Sequence, residues 1–235
     1  MSLHLDFLKK LEIGSRRPLL VRRETIAQFG LGKRILFMSD LHLRKDGPPH
    51  LLDGLRDIVS HQRPDVILLG GDLVDRSSGV EPLKNLVKDM ARTAPVAAVG
   101  GNHDRWAGLA RVRNAVLSSG GHWLEDGPLR WADSAIVYGA ADQALLSGDC
   151  HVLCTHHPPP PTARRGFHLV VSGHLHGGQF VFYESGGRLY PGAFAYRWNG
   201  LRFHEGGNVL LVSRGVHDTV PLRWNCPREV LSIDI

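Results

Sequence analysis

The chain carries three short apolar runs that all end in the same kind of chemistry. Val66-Ile67-Leu68-Leu69 stops at Gly70-Gly71 and then Asp72. Ile35-Leu36-Phe37-Met38 runs into Ser39-Asp40-Leu41-His42, and Val96-Ala97-Ala98-Val99 into Gly100-Gly101-Asn102-His103-Asp104. Such runs are too short for helices and read as strands buried on both faces. Between them, residues 51–59 and then 80–91 place apolar side chains at helical spacing, and a third helix is expected from about Trp106 to Ser118. Strand, helix, strand, helix in this rhythm calls for right-handed crossovers and a largely parallel sheet. Ligands in such sheets sit beyond the carboxyl ends of the strands. This chain puts its carboxylates, amide and imidazoles there.

The second half repeats the pattern. His151-Val152-Leu153-Cys154 ends in Thr155-His156-His157 before four prolines, and His168-Leu169-Val170-Val171 ends in Ser172-Gly173-His174-Leu175-His176-Gly177-Gly178-Gln179. Short strands are expected near residues 122–124, 129–131 and 135–138, and closing strands at 180–183, 209–213 and 230–235. Residues 18–28 read as an edge strand with Arg22-Arg23-Glu24 facing solvent.

The polar strand ends are Asp40, His42, Asp72, Asn102, His103, His156, His174 and His176. A set of carboxylate, amide and imidazole without cysteine suits Mn²⁺, Fe²⁺/³⁺ or Zn²⁺ rather than Ca²⁺ or a structural zinc. Seven ligands exceed what one catalytic ion takes and suit two divalent ions sharing a carboxylate, read as Asp72. If the period of two of the preceding strand persists, Asp40 and His42 point to one side.

Taken in order, Asp40-Leu41-His42, Gly71-Asp72-Leu73-Val74-Asp75, Gly101-Asn102-His103-Asp104, His156 and Gly173-His174-Leu175-His176 resemble the motif set of the calcineurin-like metallophosphoesterase superfamily. The following Gly177-Gly178-Gln179, with Val212-Ser213-Arg214-Gly215 and Pro227-Arg228-Glu229, resembles a bacterial branch of small phosphodiesterases. The resemblance implies a four-layer α-β-β-α sandwich of two mixed sheets flanked by helices, with the dimetal site at the carboxyl ends of the strands. It implies one metal held by Asp40, His42, Asp72 and His176 and another by Asp72, Asn102, His156 and His174, with a bridging water or hydroxide. His103 would be the general acid and Asp104 would orient its ring. The expected reaction is hydrolysis of a phosphodiester or pyrophosphate. Arg105 and His157 are candidate substrate contacts, and Arg164, Arg165 and Tyr196-Arg197-Trp198 candidate walls of the site. Asp75 is expected to play a supporting role.

Two competing readings use the same residues. A nuclease of this fold would want a long basic face, and the sequence offers only scattered arginine doublets. A scaffold without catalysis would be expected to have lost ligands, and all are present. A formal charge of +5 and a pI near 9.4 favour anionic partners, a nucleotide or lipid phosphate among them. One domain over residues 1–235 is expected, with residues 1–17 as a short N-terminal segment. Residues 3–13 have the spacing of an amphipathic helix, packed on the domain or in peripheral contact with a membrane. No stretch has the length of an apolar span. Cys150 and Cys154 lie about 13 Å apart if on one strand, too far for a bridge, and the three cysteines fit a reducing cytoplasm.

Overall fold

The computed structural model describes residues 10–27, 30–147, 150–205 and 207–235. Two six-stranded mixed sheets lie face to face. The first contains β2 (Leu20–Thr25), β3 (Arg34–Met38), β4 (Val66–Gly70), β5 (Val96–Val99), β6 (His122–Trp123) and β16 (Glu229–Asp234), in the order β2-β16-β3-β4-β5-β6. The second contains β7 (Leu129–Ala132), β8 (Ala135–Tyr138), β9 (Cys150–Thr155), β10 (Leu169–Ser172), β13 (Arg202–Glu205) and β14 (Asn208–Val212), in the order β13-β14-β10-β9-β8-β7. Neighbours β3, β4, β5 and β6 run parallel, as do β8, β9, β10 and β14.

The period of two along each strand sorts the core into layers. Ile35, Phe37, Val66, Leu68, Ala97 and Val99 pack against Val137, Val152, Cys154, Leu169, Val171 and Leu211 of the facing sheet. Their alternates Leu36, Met38, Ile67, Leu69 and Ala98 pack under three helices: α1 (Pro49–Gln62), α2 (Val80–Met90) and α3 (Asn102–Ser118). The outer face of the second sheet, with Tyr138, Leu153, Val170 and Leu210 and with Phe203 of β13, is covered by Phe167 and Trp198 from thinner, mostly irregular segments.

Several local expectations change. Helix α3 is two pieces joined by a kink at Gly108 (φ 103°). Its first turn begins at Asn102, ahead of the expected start near Trp106, because Asp104 caps it: its Oδ2 accepts from the Gly101 amide at 2.9 Å. Residues 11–13 form a strand, β1 (Leu11–Ile13), antiparallel to β15 (Leu222–Trp224), where a helix was expected. The rest of that expected helix, through Lys9, lies outside the described residues. Arg22 and Glu24 do not face solvent; their side chains are each 11% exposed and paired at 2.9 Å. Arg22 Nη2 also donates to the Val212 carbonyl of the other sheet. Cys150, Cys154 and Cys226 are buried and free.

Candidate metal centre

The loops after β3, β4, β5, β9, β10 and β14 meet along one edge of the sandwich. Backbone hydrogen bonds fix their register: Asp40 N donates to Gly71 O, His42 N to Asp72 O and Gly173 N to His156 O. The loop after β14 joins through Val216 N to Ser39 O and His217 N to Asp40 O.

Strand periodicity is not what brings Asp40 and His42 together, because β3 ends at Met38. Asp40, His42, Asp72, His174 and His176 all adopt positive φ, between 42° and 71°. These turns aim side chains of consecutive loops inward and carry backbone strain of the kind found at functional sites. Glycines leave room for the approach. A Cβ on Gly101 would lie 2.1 Å from Asp72 Oδ1, and one on Gly71 would lie 2.8 Å from His156 Nδ1.

Among the described residues, four groups of three place a ligand atom each within 4.8 Å of one another. They are Asp40, His42 and His176; Asp40, Asp72 and His156; His156, His157 and His174; and His42, Asp75 and His103. His42 Nε2 stands 3.4 Å from His176 Nε2, and His156 Nε2 stands 3.2 Å from His174 Nδ1. Asn102 Oδ1 is 3.0 Å from His156 Nε2. The structure thus gathers all seven expected ligands at one edge.

The proton inventory of this cluster calls for cations. His156 Nδ1 faces the Gly70 carbonyl at 3.0 Å and must carry its proton to bond there. In a neutral ring the Nε2 lone pair then meets Asn102 Oδ1, Asp72 Oδ2 at 3.3 Å and His174 Nδ1, with at most one proton among them. His176 Nδ1 likewise faces Asp218 Oδ1 at 2.9 Å, which turns its Nε2 lone pair toward His42 and Asp40. Burial lowers the His156 imidazole, but the Asp72 carboxylate more than offsets it and lifts the ring to about 9. Burial also raises the Asp72 carboxyl, while His156 and the His103 amide bring it down to about 2. Without metal the ring thus keeps a proton against Asp72, and a cation bound at Nε2 would take that proton's place beside the carboxylate. These His and Asp clusters therefore have the capacity to hold two divalent cations, and the residues present fit them.

His103 stands beside the cluster, its ring centroid 4.6 Å from that of His42. Its partner is Asp75, with Oδ1 3.1 Å from His103 Nδ1. The expectation that Asp104 orients this ring is overturned. Both oxygens of Asp104 are used by backbone amides, Oδ1 by Val74 and Oδ2 by Leu73 and Gly101, so it staples two loops together. Arg105 is exposed on α3, and exposed His157 lies with its ring 3.7 Å from that of His174. Arg164 is fully buried with its guanidinium 4.0 Å over the Trp198 ring, so it supports the wall from behind instead of lining it.

A cleft of about 220 Å³ is lined by His42, Asp72, Asn102, His103, His174 and His176, with Gln179, Asp218, Thr219 and Val220. His174 also lines a neighbouring cavity of about 340 Å³ with His157, Pro158, Leu175 and residues 195–198. Sequence reasoning missed Asp218 and its partner Arg223, whose Nε and Nη2 donate to Asp218 at 2.8 and 2.7 Å. The signal was available: Val209–Val212 is a further apolar run that ends in polar residues.

A model of the family described as calcineurin-like phosphoesterase matches residues 33–178, well over half of the chain. The chain is 28% identical over 223 residues to "Phosphodiesterase YaeI" of Escherichia coli, covering 86% of this chain and 82% of that protein. It is also 28% identical over 168 residues to an uncharacterized metallophosphoesterase of Campylobacter jejuni, covering 62% of this chain but 44% of that protein. A dimetal phosphatase from Danio rerio superposes with a TM-score of 0.54 at 14% identity, covering 86% of this chain and 99% of that one, a likeness of fold alone. Among the described residues no helix is long and apolar enough to cross a membrane.

Proposed function

We propose that this chain, which belongs to the calcineurin-like phosphoesterase family, is a dimetal hydrolase of phosphodiester or pyrophosphate bonds. The observation that carries this reading is the buried edge where lone pairs of His42, His156, His174 and His176 converge with Asp40 and Asp72, beside an imidazole backed by its own carboxylate.

Asp40, His42, Asp72 and His176 would hold one ion and Asp72, Asn102, His156 and His174 the other. Mn²⁺, Fe²⁺/³⁺ or Zn²⁺ there would supply Lewis-acid polarisation of the phosphoryl oxygens and acidify an attacking water. The chain's own contribution is proton handling. With Nδ1–H of His103 directed to Asp75, its Nε2 is presented to the cleft and can carry a proton to the leaving oxygen. Proton transfer of this kind contributes about 10²–10⁴-fold.

A diester is favoured over a monoester because a second cavity lies against the cleft, sharing His174, and offers a place for a second group on the phosphorus. The similarity to a protein named phosphodiesterase and the Gly-Gly-Gln continuation after His176 support placement in the bacterial branch. A single domain over residues 1–235 and a cytoplasmic setting complete the reading, the latter resting on three buried free cysteines.

The test is metal analysis together with Mn²⁺-stimulated cleavage of bis-(p-nitrophenyl) phosphate by the wild type and by His103→Ala. The expected outcome is bound metal and a large fall in kcat for the variant. Purified protein that holds no metal and stays inactive after Mn²⁺ addition would leave a scaffold.

A further inference from the structure

We propose that the mouth of the metal cleft is a docking surface for an anionic lipid bilayer, from which the phosphoester is presented. The inference depends on the hydrolase reading only for which bond is cleaved; the surface is argued independently.

Four apolar side chains stand exposed along the charged and polar cleft and the neighbouring cavity that shares His174. Trp106 is 75% exposed, with its ring 4.7 Å from that of His103. Val220 is 62% exposed and lines the cleft itself. Phe194 and Tyr196, 76% and 59% exposed, come from the short helix Gly192–Ala195 and the residue after it. That helix is seated against the histidine loop: the Gly192 Cα lies 3.3 Å from where a Cβ on Gly178 would stand. Single exposed apolar residues are ordinary on a protein surface, but a set of them ringing one site marks an interaction face.

The composition of the rim selects the partner. Trp and Tyr are the residues that settle at a bilayer–water boundary, with an apolar body and a polar tip. Guanidinium groups sit directly beside them in the chain: exposed Arg105 next to Trp106, and Arg197, 61% exposed, next to Tyr196. Arg76, 77% exposed, adds a third cation beside the Asp75 loop. Two carboxylates face this group, Glu205 at 3.5 Å from Arg197 and Asp75 at 3.8 Å from Arg76. The excess is basic, as is the whole chain at +5, and complements anionic headgroups. A single-stranded nucleic acid would instead want open ring faces for stacking. Here Trp198, the indole lining the cavity beside His174, already has Arg164 at 4.0 Å and Arg197 at 4.2 Å over its ring, and Val220 offers no π-face. Docked by this rim, the cleft would open at headgroup depth, where the phosphoester of a lipid lies.

The test is co-sedimentation of the full chain, loaded with Mn²⁺, with phosphatidylcholine vesicles with and without phosphatidylglycerol. Hydrolysis of bis-(p-nitrophenyl) phosphate is measured in parallel. We expect partition onto the phosphatidylglycerol vesicles that weakens with added salt. Phe194→Gln, an exposed position outside the cleft, should lower that partition about tenfold with cleavage of the soluble diester unchanged. No sedimentation with either vesicle at low salt would overturn the proposal. So would equal partition of wild type and Phe194→Gln, or a gel shift of single-stranded DNA in place of vesicle binding. Vesicle binding without diester cleavage would leave the docking surface standing and remove the hydrolase reading.

Discussion

Asp75 Oδ1 lies 3.1 Å from His103 Nδ1 and accepts 2.9 Å away from Thr219 Oγ1, tying the loop after β4 to the first turn of α3 and to the loop after β14. Burial raises the Asp75 carboxyl, but Thr219, Arg44 and the imidazoles of His42 and His103 bring it below the usual carboxylate range. It stays charged across the neutral range, and a charged acceptor at Nδ1 fixes which ring nitrogen reaches the cleft. Asp75→Asn keeps the shape and removes the charge. We expect kcat on a soluble diester to fall by about 10²–10³-fold, within the range for general acid catalysis, with KM little changed. A kcat equal to wild type would assign His103 no proton-transfer role through this pair.

Asp218 bears on metal affinity in the same way. Its Oδ1 meets His176 Nδ1 at 2.9 Å while Arg223 donates to both of its oxygens. A carboxylate on the far nitrogen of a ligating imidazole sets the tautomer and raises ligand basicity, and its loss costs about 10–100-fold in metal affinity. Asp218→Asn should therefore bind Mn²⁺ about 10–100-fold more weakly in a chelator competition. Unchanged affinity in a variant that keeps its fold by circular dichroism would make the pair purely structural.

Asp104 answers to stability. Three amides, those of Leu73, Val74 and Gly101, end on its carboxylate in a fully buried site. Asp104→Ala leaves those donors without acceptors, at about 1–3 kcal/mol for a buried unsatisfied group. We expect a loss of at least about 2 kcal/mol in urea unfolding. A loss under about 0.5 kcal/mol, the level of an ordinary surface substitution, would mean water replaces the carboxylate.

The ligand motifs were legible because each follows directly on an apolar run, so Asp72 or His174 can be placed at a strand end from neighbouring residues alone. The supporting partners were not. Asp104 sits next to His103 in the chain, and the family resemblance implied that it orients the ring. The helix instead turns Asp104 inward to the backbone and leaves His103 to Asp75, two loops away in sequence. Residues 11–13 have helical spacing, yet pairing with Leu222–Trp224 overrides it. That two sheets face one another depends on which side of β3 and β9 meets which, a long-range fact no local window holds.

His217 supplies a test in which pH is the variable. Its Nδ1 lies 2.6 Å from Ser15 Oγ in a buried position. Burial lowers this imidazole to about 4; Asp218 pulls the other way, and Arg228, His42 and Arg44 reinforce the fall. Since the folded value lies below the unfolded 6.5, the fold favours the neutral ring. The stabilisation is complete above about pH 6.5 and is lost as pH falls toward 4, amounting to about 3 kcal/mol for this group. The histidines proposed as metal ligands also titrate in metal-free protein, so wild type and His217→Gln are compared in one metal state. Urea midpoints of the wild type should drop more steeply between about pH 7 and pH 4 than those of His217→Gln, which has no ring to charge. Parallel slopes in the two proteins would show that His217 takes up its proton without disturbing the loop after β14.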